Sequence, residues 1–128
     1  MNRAITAIFL VAMMASGCIS GIGSDEFYGD DISPPIQVEE FVLHDENGEY
    51  VAMSQFEGKV VVVTFLFTRC PDICPIVSSN LAFIAAELGD QNENDVQILT
   101  VTVDPWTDNS SVLKKYSSNR DLGWPHLT

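Results

Sequence analysis

Residues 60–67 read Val60-Val61-Val62-Val63-Thr64-Phe65-Leu66-Phe67, an unbroken apolar run that is rich in β-branched side chains. Gly58 precedes this run and Pro71 follows it, so both of its ends carry residues that interrupt regular structure. A short run of this kind, without polar alternation, predicts a strand that is buried on both faces in the middle of a parallel sheet.

The sequence downstream of this strand alternates between helical and strand patterns. Pro75 suits the first turn of a helix, and Gly89 supplies its stop. The apolar positions between them recur at helical spacing: Val77, Leu81, Ile84 and Leu88. Further segments are a polar loop at 90–95, a strand at 96–103, a helix at 108–119 and the start of a strand at 127–128.

The second helix has two candidate caps, Asp108 and Ser110. Its apolar side consists of Val112, Leu113 and Tyr116. The order strand, helix, strand, helix predicts an α/β fold with a parallel sheet and right-handed crossovers.

A hairpin is predicted upstream of the long strand. Residues 41–43 and 50–51 are short apolar runs separated by a polar segment that contains Asn47-Gly48, a typical hairpin turn. Residues 54–59 are predicted to form a turn that leads into the strand.

The N-terminus has the pattern of an export signal. Arg3 precedes the apolar residues 4–15, which are too few to span a bilayer of about 30 Å as a helix. Ala15-Ser16-Gly17-Cys18 then resembles a lipobox, in which Cys18 is lipidated and becomes the new N-terminus. A plain secretory signal with a chance cysteine, or a short uncleaved anchor, are the alternatives. We predict a signal peptide at 1–17, a flexible acidic spacer at 18–35 and a folded domain at 36–128.

Composition excludes several classes of partner. The 128 residues include 6 Lys and Arg against 18 Asp and Glu, a formal charge of −12. Phosphate binding and polybasic membrane patches both need clustered cations, so we expect no nucleic-acid partner and no electrostatic membrane patch. The 3 cysteines reduce to a pair, Cys70 and Cys74, if Cys18 is lipidated. An exported pair lies in a compartment where disulfides persist.

The motif Cys70-Pro71-Asp72-Ile73-Cys74-Pro75 follows the buried strand directly. The thiols therefore lie at the carboxyl edge of the sheet, where ligand sites of α/β proteins usually occur. Three intervening residues place the sulfurs one helical turn apart, which allows a structural disulfide, a redox dithiol or two ligands to one metal ion. The helix dipole and Arg69 favour the thiolate form, whereas Asp72 opposes it.

These residues resemble the Sco/SenC family over roughly residues 36–128. The most specific part is 67–75, which matches the family's Cys-Pro-x-x-Cys-Pro signature. Weaker matches occur in the family's order at Asp45, Gly48, Phe56, Gly58-Lys59-Val60, Thr102-Val103-Asp104-Pro105, Asp108 and Leu127-Thr128.

The resemblance implies a thioredoxin-like domain tethered to a membrane and facing outside the cytoplasm. It implies copper binding by Cys70, Cys74 and a distal histidine. It also implies a role in assembling the copper centre of cytochrome c oxidase, as copper chaperone, as thiol reductase of the copper-binding subunit, or both. That subunit, or another exported cuproprotein, is the expected partner.

Neither histidine of the chain matches the histidine that the family uses. His44 lies in the first hairpin and His126 lies just before the final strand, and we expect both to be ordinary surface or partly buried residues. The family's histidine lies beyond the segment that Leu127-Thr128 resembles. We therefore expect the chain to be a C-terminally incomplete form of the domain, without its third copper ligand.

Asp104 and Trp106, which follow the second strand, are further candidates for functional residues. Asp104 is expected at the same sheet edge as the cysteines, where it could tune the thiols, hydrogen-bond a partner or cap its own loop before Pro105. Trp106 could dock a partner or pack on its own domain. The pairs Glu39-Glu40 and Asp30-Asp31 are interpreted as solvated faces.

The sequence thus favours a copper-binding assembly factor, a metallochaperone rather than an enzyme. The alternative is a thiol–disulfide oxidoreductase of exported proteins with Cys70 and Cys74 as its redox pair. A thiol peroxidase is a weaker third reading, because Thr68 and Cys70-Pro71 loosely match a peroxiredoxin motif whose usual upstream proline is absent.

Overall fold

The computed structural model of the protein describes residues 29–128. The chain divides after Ile36, and Gln37–Thr128 forms a compact unit. Every element below belongs to this unit. The predicted signal peptide, Cys18 and most of the spacer lie outside the described residues, and the domain bounds of the sequence analysis stay predictions.

A parallel sheet carries the cysteine motif. β3 (Val60–Leu66) pairs with β4 (Val96–Thr102) in parallel, and β4 pairs in parallel with β5 (His126–Leu127). The strand order is β3-β4-β5, so each strand lies beside the next one along the chain. The predicted parallel pairing and the final short strand are confirmed.

Two helices connect these strands. α1 (Ile73–Leu88) follows β3, and α2 (Ser110–Ser118) follows β4. Pro75 lies in the first turn of α1, and Gly89 ends it with φ +52, as predicted. The core-facing positions of α1 are Cys74, Val77, Ser78, Leu81, Ala82 and Ala85. Ile84, predicted on this side, is instead 45% exposed.

Composition and length would also let residues 73–91 cross a membrane. Core helices of soluble proteins satisfy the same criteria, and this segment includes α1, which packs on the sheet. A short 3₁₀ turn, Gly89–Gln91, follows α1 and leads through a polar loop to β4.

The predicted hairpin is present. β1 (Val42–His44) and β2 (Tyr50–Ala52) pair in antiparallel, and Gly48 adopts φ +85 in the turn between them. His44 and Thr128 exchange two backbone hydrogen bonds of 3.1 and 2.8 Å, which joins the hairpin to the chain just after β5. A 3₁₀ turn, Met53–Phe56, then leads towards β3.

Two apolar clusters form the core. One lies between α1, the sheet and the segment after α2, and includes Leu66, Cys74, Ile98, Tyr116 and Trp124. The smaller one lies beneath the hairpin, where Val51 packs with Leu99 and Leu127. Cys74 therefore belongs to the main core as well as to the motif.

The prediction that β3 is buried on both faces is wrong. Leu66 is 2% exposed, but Phe65 is 66% exposed and Val63 is 39% exposed. Within residues 29–128, β3 pairs only with β4. On one of its faces Val61 packs in the cluster beneath the hairpin, whereas Val63 and Phe65 are left exposed. An unbroken run of apolar residues shows that both faces of a strand can be buried. Whether each face is buried depends on which other elements pack against it. An apolar hollow of about 370 Å³ lies on this side, lined by Val38, Phe41, Leu43, Val63, Phe65 and Val101.

The predicted caps of α2 are also wrong. Asn109 is the cap, since its side chain accepts a hydrogen bond of 3.2 Å from the N–H of Val112. Ser110 is the first residue of the helix. Asp108 is fully buried and binds other partners, which are described below.

Candidate functional site

The two cysteines lie where β3 passes into α1. Cys70 ends a turn in which its N–H donates to the carbonyl of Phe67 at 3.2 Å, and it is partly exposed. Cys74 is the second residue of α1 and is 6% exposed. The N–H of Cys74 donates to the sulfur of Cys70 at 3.3 Å, so the predicted convergence of the two thiols at the carboxyl edge of the sheet is present.

Both cysteines carry free thiols with unequal acidity. The Cys74 thiol donates to the Cys70 sulfur, and this hydrogen bond, together with backbone N–H groups of the motif, lowers the pKa of Cys70. Burial raises the pKa of Cys74, and the neighbouring Cys70 sulfur raises it further. The exposed sulfur is therefore the readier thiolate, whereas the buried one keeps its proton.

The guanidinium of Arg69, which could stabilise the thiolates, is paired with another group. Its guanidinium donates to the Asp104 carboxylate at 2.9 Å and to the Thr107 hydroxyl at 3.1 Å. This hydrogen bond from Arg69 lowers the pKa of Asp104, and the Thr107 hydroxyl adds to the effect. Asp104 therefore lies at the expected sheet edge, where it ties its own loop to the residue before Cys70.

Asp108 is the residue of this region whose role sequence reasoning missed. Its carboxylate accepts 2.8 Å hydrogen bonds from the N–H of Thr68 and from the hydroxyl of Thr102, and a further one from the Thr68 hydroxyl. Local sequence suggested a helix cap, and no local pattern could show a partner 40 positions away.

Among the described residues, neither histidine forms a side-chain hydrogen bond with the thiol motif. His44 is exposed on β1, where its Nδ1 lies 3.3 Å from the Gly48 carbonyl. His126 is completely buried, which corrects the expectation of a surface or partly buried residue. Its Nδ1 donates to the Trp124 carbonyl at 2.8 Å, and its Nε2 has no hydrogen-bond partner among the described residues.

Trp106 is 92% exposed in the loop after β4, two positions beyond Asp104. This loop is tied to Arg69, so the indole stands on the same side of the domain as the thiol motif. Packing of Trp106 into its own core, one of the two expectations, is excluded by this exposure. Docking of a partner remains a prediction.

The donor set favours a soft cation. Two thiols supply sulfur ligands, which suit Cu(I) and Zn(II) among common metals, and a structural zinc site needs four ligands. Within residues 29–128, no group of three or more His, Cys, Asp and Glu side chains could hold a metal ion. The pair therefore fits Cu(I), held by two sulfurs in a partly open site, better than zinc.

The sequence is similar to a known protein family and to several of its members. The sequence model described as SCO1/SenC matches residues 30–128. The SCO1 protein homolog of Bacillus subtilis (strain 168) is 32% identical over 105 residues, which cover 78% of this chain and 54% of that protein.

Solved structures show the same fold. Copper-bound ScoI of Bradyrhizobium japonicum superposes with a TM-score of 0.65 at 29% identity, over 70% of this chain and 57% of the other. BsSco, a member of the Sco family of cytochrome c oxidase assembly proteins, gives 0.63 at 33% identity, over 71% and 54%. These matches confirm the predicted α/β thioredoxin-like fold. The chain spans about half the length of the relatives it matches.

Proposed function

Because the chain belongs to the SCO1/SenC family, we propose that it is an extracytoplasmic copper-binding assembly factor whose Cys70 and Cys74 thiolates hold Cu(I). The cargo would pass to a cuproprotein, and the copper-binding subunit of cytochrome c oxidase is the proposed recipient. The support is twofold: ScoI is a copper-bound relative, and BsSco is a member of a family of cytochrome c oxidase assembly proteins.

The observation that carries the proposal is the placement of two free thiols at the start of α1, where the Cys74 N–H donates to the Cys70 sulfur at 3.3 Å. Cu(I) prefers thiolates because both are soft and polarisable. Binding would displace the proton that Cys74 shares with the Cys70 sulfur, so copper affinity should rise with pH. Since Cys70 is the exposed partner, a recipient would approach the cargo from the Cys70 side.

A third ligand is part of the proposal. The resemblance implies a histidine, and neither described histidine is suitable: His44 is on the hairpin, and His126 is sealed in the core. We therefore propose that a third ligand comes from outside residues 29–128 or from the recipient itself. An open ligand position suits a carrier, because the incoming protein can bind the cargo before the carrier releases it.

Membrane attachment through a lipid on Cys18 is proposed from the sequence alone. It would hold the domain on the extracytoplasmic side of the cell membrane. The acidic spacer would give the domain reach, since like charges extend a flexible chain.

Three single substitutions test the copper site and the anchor together. Cys70→Ser and Cys74→Ser should each lose stoichiometric copper and the ultraviolet absorption of copper–thiolate bonds. Cys18→Ser is the matched control, because it removes the third cysteine and should leave copper binding intact while abolishing partition into detergent. Copper retention in both motif variants would refute the copper proposal, and unchanged partition in Cys18→Ser would refute the anchor.

The unequal thiols support one second candidate, a thiol–disulfide oxidoreductase of exported proteins. Cys70 thiolate would attack a target disulfide to form a mixed disulfide, and Cys74 would then displace the target thiol, leaving a Cys70–Cys74 disulfide and a reduced target. Cys74→Ser should trap the mixed disulfide, whereas Cys70→Ser should trap none. A Cys70–Cys74 potential below about −300 mV would indicate an inert structural disulfide instead.

A further inference from the structure

The carboxylate of Asp108 joins the turn before Cys70 to the end of β4. It is 0% exposed and accepts hydrogen bonds from the N–H and hydroxyl of Thr68 and from the hydroxyl of Thr102. Each of these three groups donates to a carboxyl oxygen of Asp108. Burying a polar side chain is costly unless it is hydrogen-bonded in this way, so such an arrangement indicates a specific role.

These bonds fix the chain immediately before Cys70. Thr68 lies two positions before the thiol, and Asp108 holds both its backbone and its side chain. The next residue, Arg69, is bound to Asp104, whose own N–H donates to the Thr102 hydroxyl at 3.1 Å. The turn that presents Cys70 is therefore held at two consecutive residues by the segment between β4 and α2.

We propose that Asp108 is a positioning residue for the thiol pair, which holds the turn at residues 67–70 so that the Cys70 sulfur meets the first turn of α1. The hydrogen bond from the Cys74 N–H to the Cys70 sulfur depends on that placement. The consequence for copper rests on the proposed function, whereas the consequence for thiol reactivity does not.

Position 108 requires a carboxylate because its two oxygens accept hydrogen bonds from three donors: the Thr68 N–H, the Thr68 hydroxyl and the Thr102 hydroxyl. Asparagine has nearly the same volume but offers one oxygen and turns an NH₂ group towards donors. Asp108→Asn therefore changes the hydrogen bonds with little change in packing. Thr68→Val removes only the hydroxyl bond, and Thr68→Ser keeps it.

The matched control is Thr100→Val. Thr100 is fully buried on β4, and its hydroxyl accepts a hydrogen bond of 2.9 Å from the Trp124 indole. The substitution removes one buried hydrogen bond from the same strand as Thr102 without touching the Thr68 turn. This control shows how far the loss of a buried hydrogen bond elsewhere in the domain changes the reactivity of the thiols.

The experiment measures the iodoacetamide reaction rate of Cys70 at pH 7, by mass spectrometry, on the apo chain with Cys18→Ser as background. Asp108→Asn and Thr68→Val should slow the reaction of Cys70 about threefold or more, because the sulfur no longer meets the first turn of α1. Thr68→Ser and Thr100→Val should retain the background rate. Circular dichroism identifies variants that remain folded, and Thr68→Val keeps the test decisive if Asp108→Asn does not fold.

Competition with a Cu(I) chelator provides the second readout. Asp108→Asn should bind copper about tenfold more weakly, a loss of about 1.4 kcal/mol, while Thr100→Val binds like the background. Wild-type thiol rates in folded Asp108→Asn and Thr68→Val, or an equal slowing in Thr100→Val, would overturn the proposal. A background protein that binds no copper would refute the proposed function alone, because the alkylation result stands without copper.

Discussion

The backbone N–H of Cys74 donates a hydrogen bond to the Cys70 sulfur at 3.3 Å. The second cysteine thus supplies a helix N–H to the first. The side-chain hydrogen bond from Cys74 is the main cause that lowers the pKa of Cys70, and burial is the main cause that raises the pKa of Cys74. Helix N-termini stabilise negative charge, so the motif places its exposed sulfur where a thiolate is favoured. The reactivity expected of Cys70 therefore depends on its position at the N-terminus of α1 as well as on the spacing of the two cysteines.

Cys70 should react with iodoacetamide at pH 7 faster than Cys74, since the thiolate is the reactive form and Cys70 has the larger thiolate fraction. The pKa of Cys70 is lowered by its hydrogen bond from Cys74, and the pKa of Cys74 is raised by burial. Site-resolved mass spectrometry measures both rates in the Cys18→Ser background. Adding Cys74→Ala removes the thiol donor, so the Cys70 pKa should rise and its rate should fall. Equal rates for the two cysteines would contradict the assignment.

Arg69→Ala should raise the pKa of Asp104 towards its ordinary value, since the guanidinium is the main group that lowers it. A carboxyl with a depressed folded-state pKa adds stability above its unfolded pKa of about 3.9, and that contribution is lost as the pH falls. The Arg69 side chain is 68% exposed, so the effect on stability should be small and weaken with salt.

Carboxyl NMR titration measures the pKa, and urea unfolding at two salt concentrations measures the stability. Lys115→Ala, which removes a cation from α2, is the control. An Asp104 pKa that does not change on removal of Arg69 would show that Thr107 and the backbone hold the carboxylate.

His126 should make the domain less stable in mild acid. Burial lowers the pKa of His126, although the hydrogen bond to the Trp124 carbonyl and the charge of Glu46 act in the opposite direction. The folded state therefore binds a proton less readily than the unfolded state. Stability from this residue is complete above the unfolded pKa of about 6.5 and declines as the pH falls below it.

Urea midpoints between pH 7.5 and 5.5 measure this loss. His126→Gln, which cannot titrate, should show a flatter dependence over the same range, even if it is less stable throughout. His44→Gln changes an exposed histidine and is the matched control. Identical slopes for wild type and His126→Gln would mean that other groups cause the acid sensitivity.

Phe65 and Leu66 are adjacent on β3 but point to opposite faces, so they offer a paired test of the exposed face. Leu66→Ala should cost about 2–5 kcal/mol, because it opens a cavity in the main core where Leu66 is 2% exposed. Phe65→Thr should cost less than about 1 kcal/mol, because Phe65 is 66% exposed and threonine suits a strand.

Urea unfolding of the two variants measures the difference, and the denaturant slopes should agree with that of the wild type. A loss for Phe65→Thr comparable to that for Leu66→Ala would show that the β3 face is covered in solution. Self-association would be the first cause to examine by analytical ultracentrifugation.

Much of the fold followed from local patterns. The Val60–Leu66 strand, the helix that ends at Gly89 and the hairpin at Asn47-Gly48 each have a periodicity or a turn signal within a few residues. The motif spacing likewise showed that Cys70 and Cys74 could meet. Such features are set by bonded geometry and by neighbours one turn or one pleat away.

Other features could not be predicted because they depend on distant segments. Asp108 looked like a helix cap, but its hydrogen-bond donors, Thr68 and Thr102, come from the turn after β3 and from the end of β4. Arg69 was expected to act on its neighbour in sequence, but its charge is bound by Asp104 across 35 positions. The residue type determines how many hydrogen bonds a side chain can donate or accept, whereas the tertiary structure determines which groups are its partners.

The amino-acid sequence by itself determined the α/β order and the placement of two cysteines at a strand-to-helix junction, since both arise from local periodicity and fixed spacing. Only the tertiary structure decided which sulfur is exposed, which face of β3 is open and that His126 is sealed in the core. The physical reason is that burial and charge pairing are properties of packed elements, and packing brings together residues that no local pattern relates.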